Sequence, residues 1–513
     1  MEESKTKKSS RNLIVGVALK LYQIFIPFII RTIIIKVLGL EYAGLNSLFT
    51  SIVHVLNIAE LGVGTALVFS MYKPIKENDS NKICSLMNLY KIYYRIIGLV
   101  VLLIGCSLVP FLPNLIKGAI PNDINIYVIY FLNLFATVCS YWLFAYKNSL
   151  FIAHQRNDII SGITIIINTL MYSLQILFLI FTKSYYAYLI ILLLSQILTN
   201  ITISIAATKK FPNYTAKGKL DVRERKKINS SIKDLFYGQL GMVVTTSVDS
   251  LVISIFLGLV PLAIFQNYNY VINAIMGFFA IFFQSCRASM GSNLLEKSLI
   301  ENYKDFKFIT FIFSFALSLS VSCLLCLYQP FMEIWVGVES LLDNYTVILF
   351  VIYLVVYELS ILFSSYKDAM GKWHHDRFRP LITALVNLCI NISLVKFIGL
   401  YGILISTIVS FIFINIPWVY NRLFIDVFSI KLKKDYSNYI LYKLVTLLII
   451  ACLNVFICLH INIDNLYICI FVRLMICCII TTIMFLLANY KDEALQKMLR
   501  FIKKIKKHKE NVC

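Results

Sequence analysis

Charge is scarce in this chain: Asp, Glu, Lys and Arg make up 15% of 513 residues, whereas 59% are hydrophobic and the mean hydropathy is +0.78. Such a composition excludes an ordinary soluble domain, in which about a quarter of residues are charged. The longest polar stretch, 208–234, is too short and too polar to fold as a separate catalytic domain. Signatures of catalysis are missing as well, with no phosphate-binding loop, HExxH, GxSxG or dinucleotide fingerprint. Cysteine is not rare, at 13 residues, but most lie inside apolar runs and none in a connection expected outside the membrane, so no disulfide is expected. Neither Cys323–Cys326 nor Cys477–Cys478 has a second pair or a nearby His, so no metal site is expected either.

What remains is a succession of long apolar runs, at about 13–38, 43–69, 90–112, 124–146, 159–181, 186–207, 235–257, 262–284, 308–328, 345–366, 381–398, 401–425, 439–460 and 464–488. Each is long enough to cross a bilayer as a helix, which takes about 20 residues. The expected fold class is an all-α polytopic membrane protein with about fourteen transmembrane helices. Of the 48 Lys and Arg, all but Lys20, Arg31, Lys36, Lys117, Lys183, Lys396 and Arg473 fall at the N-terminus, in or beside every second connection, or in the C-terminal tail. Positive flanks stay in the cytoplasm, so both termini are expected there. The same distribution accounts for the net charge of +21: the charge is spread over separate loops and attracts anionic lipid headgroups, and nucleic acid is not an expected partner. The first apolar run is too long for a signal peptide and is expected to be a retained helix.

Polar residues inside the spans mark where function resides, because a charge in hydrocarbon costs several kcal/mol and turns toward a cavity. In the first span Lys20, Gln23, Pro27 and Arg31 are spaced 3, 4 and 4 apart and share one helical face. Asn46, Thr50, His54 and Asn57 do the same in the second, with Glu60 at the edge, and His54 and Glu60 are candidates for binding a coupling ion or exchanging a proton. Asp249 in the seventh span is a third candidate, whereas Gln266, Asn269, Asn273 and Gln284 line a face of the eighth. One polar face per span describes a bundle around a hydrated pathway. An enzyme site would instead bring two or three converging groups to one point.

The two halves echo each other. Leu38-Gly39-Leu40 and Leu257-Gly258-Leu259 each follow a long apolar helix and precede a span rich in Asn and Gln. The expected organisation is a six-helix lobe at 1–207, a basic cytoplasmic linker at 208–234, a second six-helix lobe at 235–425, two added helices at 439–488 and a basic tail at 489–513. Parallel repeats of this kind place a substrate path between the repeats.

Arg31, then Leu38-Gly39-Leu40-Glu41-Tyr42-Ala43-Gly44-Leu45, Ala59-Glu60-Leu61-Gly62-Val63-Gly64-Thr65-Ala66 and Tyr72-Lys73-Pro74-Ile75 resemble the opening of Wzx-type oligosaccharide-lipid flippases. Val248-Asp249-Ser250-Leu251-Val252-Ile253-Ser254 and Leu257-Gly258 open the second half in the same way. These flippases form the polysaccharide transporter branch of the multidrug/oligosaccharidyl-lipid/polysaccharide exporter superfamily. The resemblance implies a MATE-like fold of two six-helix bundles working by alternating access. It also implies an undecaprenyl-diphosphate-linked repeat unit as cargo, for O antigen or capsule, in a bacterial cytoplasmic membrane. Arg31 and Lys20 would then meet the diphosphate, Gln23, Asn269 and Asn273 the sugars, and Arg287 the cytoplasmic mouth. The chain would act as a monomeric transporter without a cofactor, with membrane lipids, H+ or Na+, and polysaccharide polymerase or assembly proteins as partners. A peptidoglycan-precursor flippase and a cation-coupled multidrug antiporter are the alternatives, with a membrane-embedded glycosyltransferase or polymerase behind them.

Overall fold

The computed structural model describes residues 5–118, 120–370, 376–461 and 463–498, and among them the regular structure is helical, with no strand. The apolar runs become α1 (Lys5–Val37), α2 (Leu40–Leu56), α3 (Val63–Lys76), α4 (Ser80–Leu108), α5 (Ile126–Trp142), α6 (Asn148–Ala153), α7 (Asn157–Thr182) and α8 (Tyr185–Lys210). These are followed by α9 (Val222–Phe256), α10 (Leu259–Glu296), α11 (Leu299–Val336), α12 (Asn344–Ala369), α13 (Arg379–Ile398) and α14 (Leu400–Ser410). A π-helical turn at Phe411–Asn415 leads into α15 (Ile416–Asp426), and α16 (Ile430–Leu459) and α17 (Leu466–Ala488) complete the series. Helix starts coincide with short polar side chains that accept from otherwise unpaired backbone N–H groups. Asp79 accepts from Lys82, Ser184 from Ala187 and Asp343 from Thr346, while Ser298 and Glu301 form a reciprocal capping box ahead of α11.

Among the described residues eleven helices are long and apolar enough to cross a membrane, and two bent pairs raise the number to 13. The seventh expected span, 235–257, lies in α9, where Ser247–Phe256 is the apolar part among the described residues. Of the stretch expected to be a linker, 208–234, residues from Val222 onward are the start of that same helix. The basic tail beyond residue 498 lies outside the described residues.

The repeated Leu-Gly-Leu tripeptides make the same turn. Leu38 and Gly39 both donate to the Ile34 carbonyl, and Leu257 and Gly258 both donate to that of Ile253. Gly39 has φ 108° and Gly258 φ 103°, a region closed to most side chains, so glycine is required at the joint from α1 to α2 and from α9 to α10.

The described chain divides into two compact units, one of residues 1–270 with 377–406 and the other of 271–376 with 407–513. In the first, α13 packs along α9, where Gly241 lies against the backbone of Pro380 and Leu381. Gly44 of α2 lies against the carbonyl of Leu259 in the same way, and a Cβ there has no room unless the backbone shifts. Gly44→Ala is therefore expected to destabilise the protein by about 1–3 kcal/mol. A melting temperature in detergent lowered by several degrees checks this, and an unchanged one refutes the close approach.

The second unit is held by aromatic packing. Phe306 of α11 stacks on Tyr436 of α16 with centroids 4.7 Å apart, and on Phe428 at 5.3 Å. Such pairs contribute about 0.5–1.5 kcal/mol each beyond the area they bury. Asn454 of α16 donates to Ser322 of α11 (3.2 Å) and Thr481 of α17 (3.1 Å), a polar clasp among three helices.

Candidate functional site

The arc predicted on α1 divides. Lys20 and Gln23 are exposed, whereas Arg31, two and three turns further along, is 3% exposed. Its Nε donates to Asn267 Oδ1 (2.6 Å), NH1 to Ser47 Oγ (3.0 Å) and NH2 to the Ala263 carbonyl (3.0 Å). The Tyr270 ring lies 5.1 Å from the guanidinium carbon, a cation–π distance. Ala263, Asn267 and Tyr270 recur every 4 and 3 residues, so one face of α10 holds the guanidinium while α2 supplies Ser47. Every partner is neutral, and among the described residues no carboxylate pairs with Arg31. The positive charge is therefore uncompensated. Asn267 is fully buried, and with its oxygen taken by Arg31 its Nδ2 has no partner among the described residues. Turning the amide over would set its N–H groups against those of Arg31, so the orientation is fixed by charge. An idle donor beside an unbalanced cation is a locus suited to an anion.

Asn267 stands one residue off the arc of Gln266, Asn269 and Asn273, so no repeating polar face marks it in the sequence. Within that arc Asn269 donates to Gln266 (3.4 Å), which donates to Ser250 (2.8 Å). Asn273 and Arg287 are exposed on the part of α10 that belongs to the second unit.

The helical arc traced through His54, Asn57 and Glu60 does not persist. The α-helix ends at Leu56, a 3₁₀ turn spans Asn57–Glu60, Gly62 takes φ 82°, and α3 leaves at 42° to the preceding segment. His54 is exposed, whereas Glu60 faces a cavity of about 610 Å³ within the first unit. A second break, at Phe144 with φ 58°, bends α5 by 46° relative to the Ala145–Ala153 segment. Residues beside both breaks, Gly64 and Thr65 at one and Ala145 and Asn148 at the other, line the same cavity. Interrupted helices recur in transporters where irregular backbone borders a cavity. Tyr90 donates to Tyr94 (3.1 Å) and Tyr94 to Glu60 Oε1, and Tyr141 donates to Asn57 Oδ1 (2.7 Å). No Lys, Arg or His pairs with Glu60 among the described residues, so its carboxylate faces the cavity without a basic partner.

Asp249 accepts from Asn391 Nδ2 of α13 at 2.7 Å, which ties the third ion-coupling candidate to a neighbouring helix. A further carboxylate went unnoticed. Glu358, in the middle of α12, is 1% exposed and its Oε2 has no partner among the described residues. Two residues on, Ser360 donates to Asn415 of the π-helical turn at 2.5 Å. A single Glu in the apolar run 345–366 is its signal in the sequence, a weak one because no polar residue stands three or four positions away.

Residues 9–286 match the profile of a family described as polysaccharide biosynthesis protein. No curated protein matches the sequence. Among solved structures, the lipid II flippase MurJ in an inward-closed conformation is similar at TM-score 0.66 and 16% identity, over 93% of this chain and 99% of its own. An inward-facing multidrug resistance MATE transporter of the MOP superfamily is similar at TM-score 0.60 and 16% identity, over 80% of this chain and 98% of its own. A mutant of the Vibrio cholerae MATE transporter VcmN follows at 0.52 and 15%, over 84% and 99%. The all-α polytopic fold is therefore one these transporters share.

Proposed function

This chain belongs to the polysaccharide biosynthesis protein family, and from that premise we propose that it moves polyprenyl-diphosphate-linked oligosaccharides across a bacterial cytoplasmic membrane by alternating access. The observation that carries the reading is the Arg31 cluster: a buried cation balanced by no carboxylate, beside the idle Nδ2 of Asn267. A diphosphate is the anionic part of such a cargo, and a guanidinium fork suits it. The exposed Lys20 and Gln23, with Asn269, Asn273 and Arg287, are proposed as further contacts along the route of the headgroup and sugars. Lobes 1–207 and 235–425 are proposed as the moving parts, and both termini as cytoplasmic. Glu60 is proposed as the carrier of the coupling H+ or Na+, with Asp249 and His54 as further candidates, and the chain acts as a transporter rather than an enzyme.

The test is deletion of the gene followed by lipid extraction and surface-glycan analysis. Accumulation of polyprenyl-diphosphate oligosaccharide with loss of surface polymer is the expected result. Unchanged intermediates and polymer, with greater sensitivity to cationic drugs, would transfer the assignment to drug export.

A further inference from the structure

Four cysteines that are scattered in the sequence converge in the second unit. The Sγ atoms of Cys326 on α11, Cys458 on α16 and Cys477 on α17 all lie within 4.8 Å of one another. All three residues are buried, and Cys323, one turn before Cys326 on α11, packs against them. We propose that these thiols form a binding site for a soft d10 cation, Zn2+ or Cu+, which clamps α16 and α17 to α11.

The donor set selects the class of ion. It is entirely sulfur, in a surround of Leu327, Val455 and Ile476, so it offers nothing to Na+, Mg2+ or Ca2+, which require oxygen. Tetrahedral zinc holds sulfur at about 2.3 Å, which sets neighbouring sulfurs about 3.8 Å apart. Closing from 4.8 Å to that spacing takes small side-chain rotations, and two thiols separated by three residues on one helix lie on the same side of it. All four cysteines are free thiols.

A second observation points the same way. Arg473 of α17 donates from NH1 to the carbonyl of Cys326 (3.4 Å) and from NH2 to that of Ile461 (3.3 Å), and its Nε is buried with no partner among the described residues. Pro330 leaves the Cys326 carbonyl without a helical donor, which accounts for the NH1 contact, but the Nε aimed into the buried side is left for an anionic neighbour. Each thiol that binds the ion releases its proton to solvent, so a centre of three or four thiolates carries net negative charge, and Arg473 lies beside it to offset that charge. No electron transfer is involved.

The experiment is elemental analysis of the full chain, purified in mild detergent with reductant, then loaded with Zn2+ or Cu+ and desalted. About one ion per chain is expected in the wild type and in Cys452→Ser, an exposed cysteine on α16, against less than about a tenth in Cys477→Ser. Which ion is retained distinguishes zinc from copper. If Cys477→Ser does not fold, a mercurial titrated into the metal-loaded wild type should release the ion only after the exposed thiols are consumed and the buried ones react, read by a chromogenic chelator. Failure of the wild type to retain either ion, retention by folded Cys477→Ser, release on modification of the exposed thiols alone, or a disulfide among these four cysteines would overturn the proposal. None of these results bears on transport, so this site and the flippase reading stand or fall separately.

Discussion

Arg31→Ala is expected to abolish surface polysaccharide while the protein still reaches the membrane. The substitution removes the buried cation and leaves Asn267 Oδ1, Ser47 Oγ and the Ala263 carbonyl without the donors they now share. Hydrogen bonds to a charged group contribute about 1.5–3 kcal/mol each. Losing about 3 kcal/mol of headgroup stabilisation slows transfer about a hundredfold. Arg31→Lys keeps the charge, but its ammonium lacks the planar fork that reaches three acceptors on two helices, so partial activity is expected. Ser47→Ala is the packing control, because it removes one neutral partner and leaves the charge in place. Polymer yield and membrane abundance, measured together in the three variants, separate lost function from lost folding. Normal polymer from Arg31→Ala would end the diphosphate-binding role.

Glu60→Gln is expected to stop gradient-driven transport, with at least about a tenfold loss in proteoliposomes under an imposed H+ or Na+ gradient. The amide retains an oxygen for Tyr94 and nearly the same volume, so the cavity survives, but it carries no titratable charge. Tyr94→Phe removes the hydrogen bond to Glu60, together with the one from Tyr90, and leaves the carboxylate, and a two- to fivefold loss is expected, in line with about 0.5–1 kcal/mol for the bond to Glu60. Facilitated exchange without a gradient should persist in Glu60→Gln. If the variant still responds to a gradient, coupling resides elsewhere, and Glu358→Gln becomes the next variant to assay.

Much of the fold was legible because a membrane span announces itself by length and by its caps. The run 345–366 starts just after Asp343, which caps α12, and the twin tripeptides at Gly39 and Gly258 make twin turns. The break at Gly62 was not legible, because His54, Asn57 and Glu60 keep helical spacing although the 3₁₀ turn has already left the helix. Asn267 was hidden one residue off a more regular polar arc, where its importance depends on Arg31 arriving from another helix. The meeting of Cys326, Cys458 and Cys477 is a product of tertiary packing, which residue spacing along one chain does not encode.

The two bent helix pairs beside Glu60 have a mechanical consequence. Residues beside their joints at Gly62 and Phe144, among them Gly64 and Ala145, line one cavity of about 610 Å³, so that space is flanked by a pair of elbows rather than by straight rods alone. Rotation about a few backbone torsions at an elbow alters its width without unpacking the helices on either side. A wedge-shaped molecule seated between the two would brace both at once and hold that space at a single width.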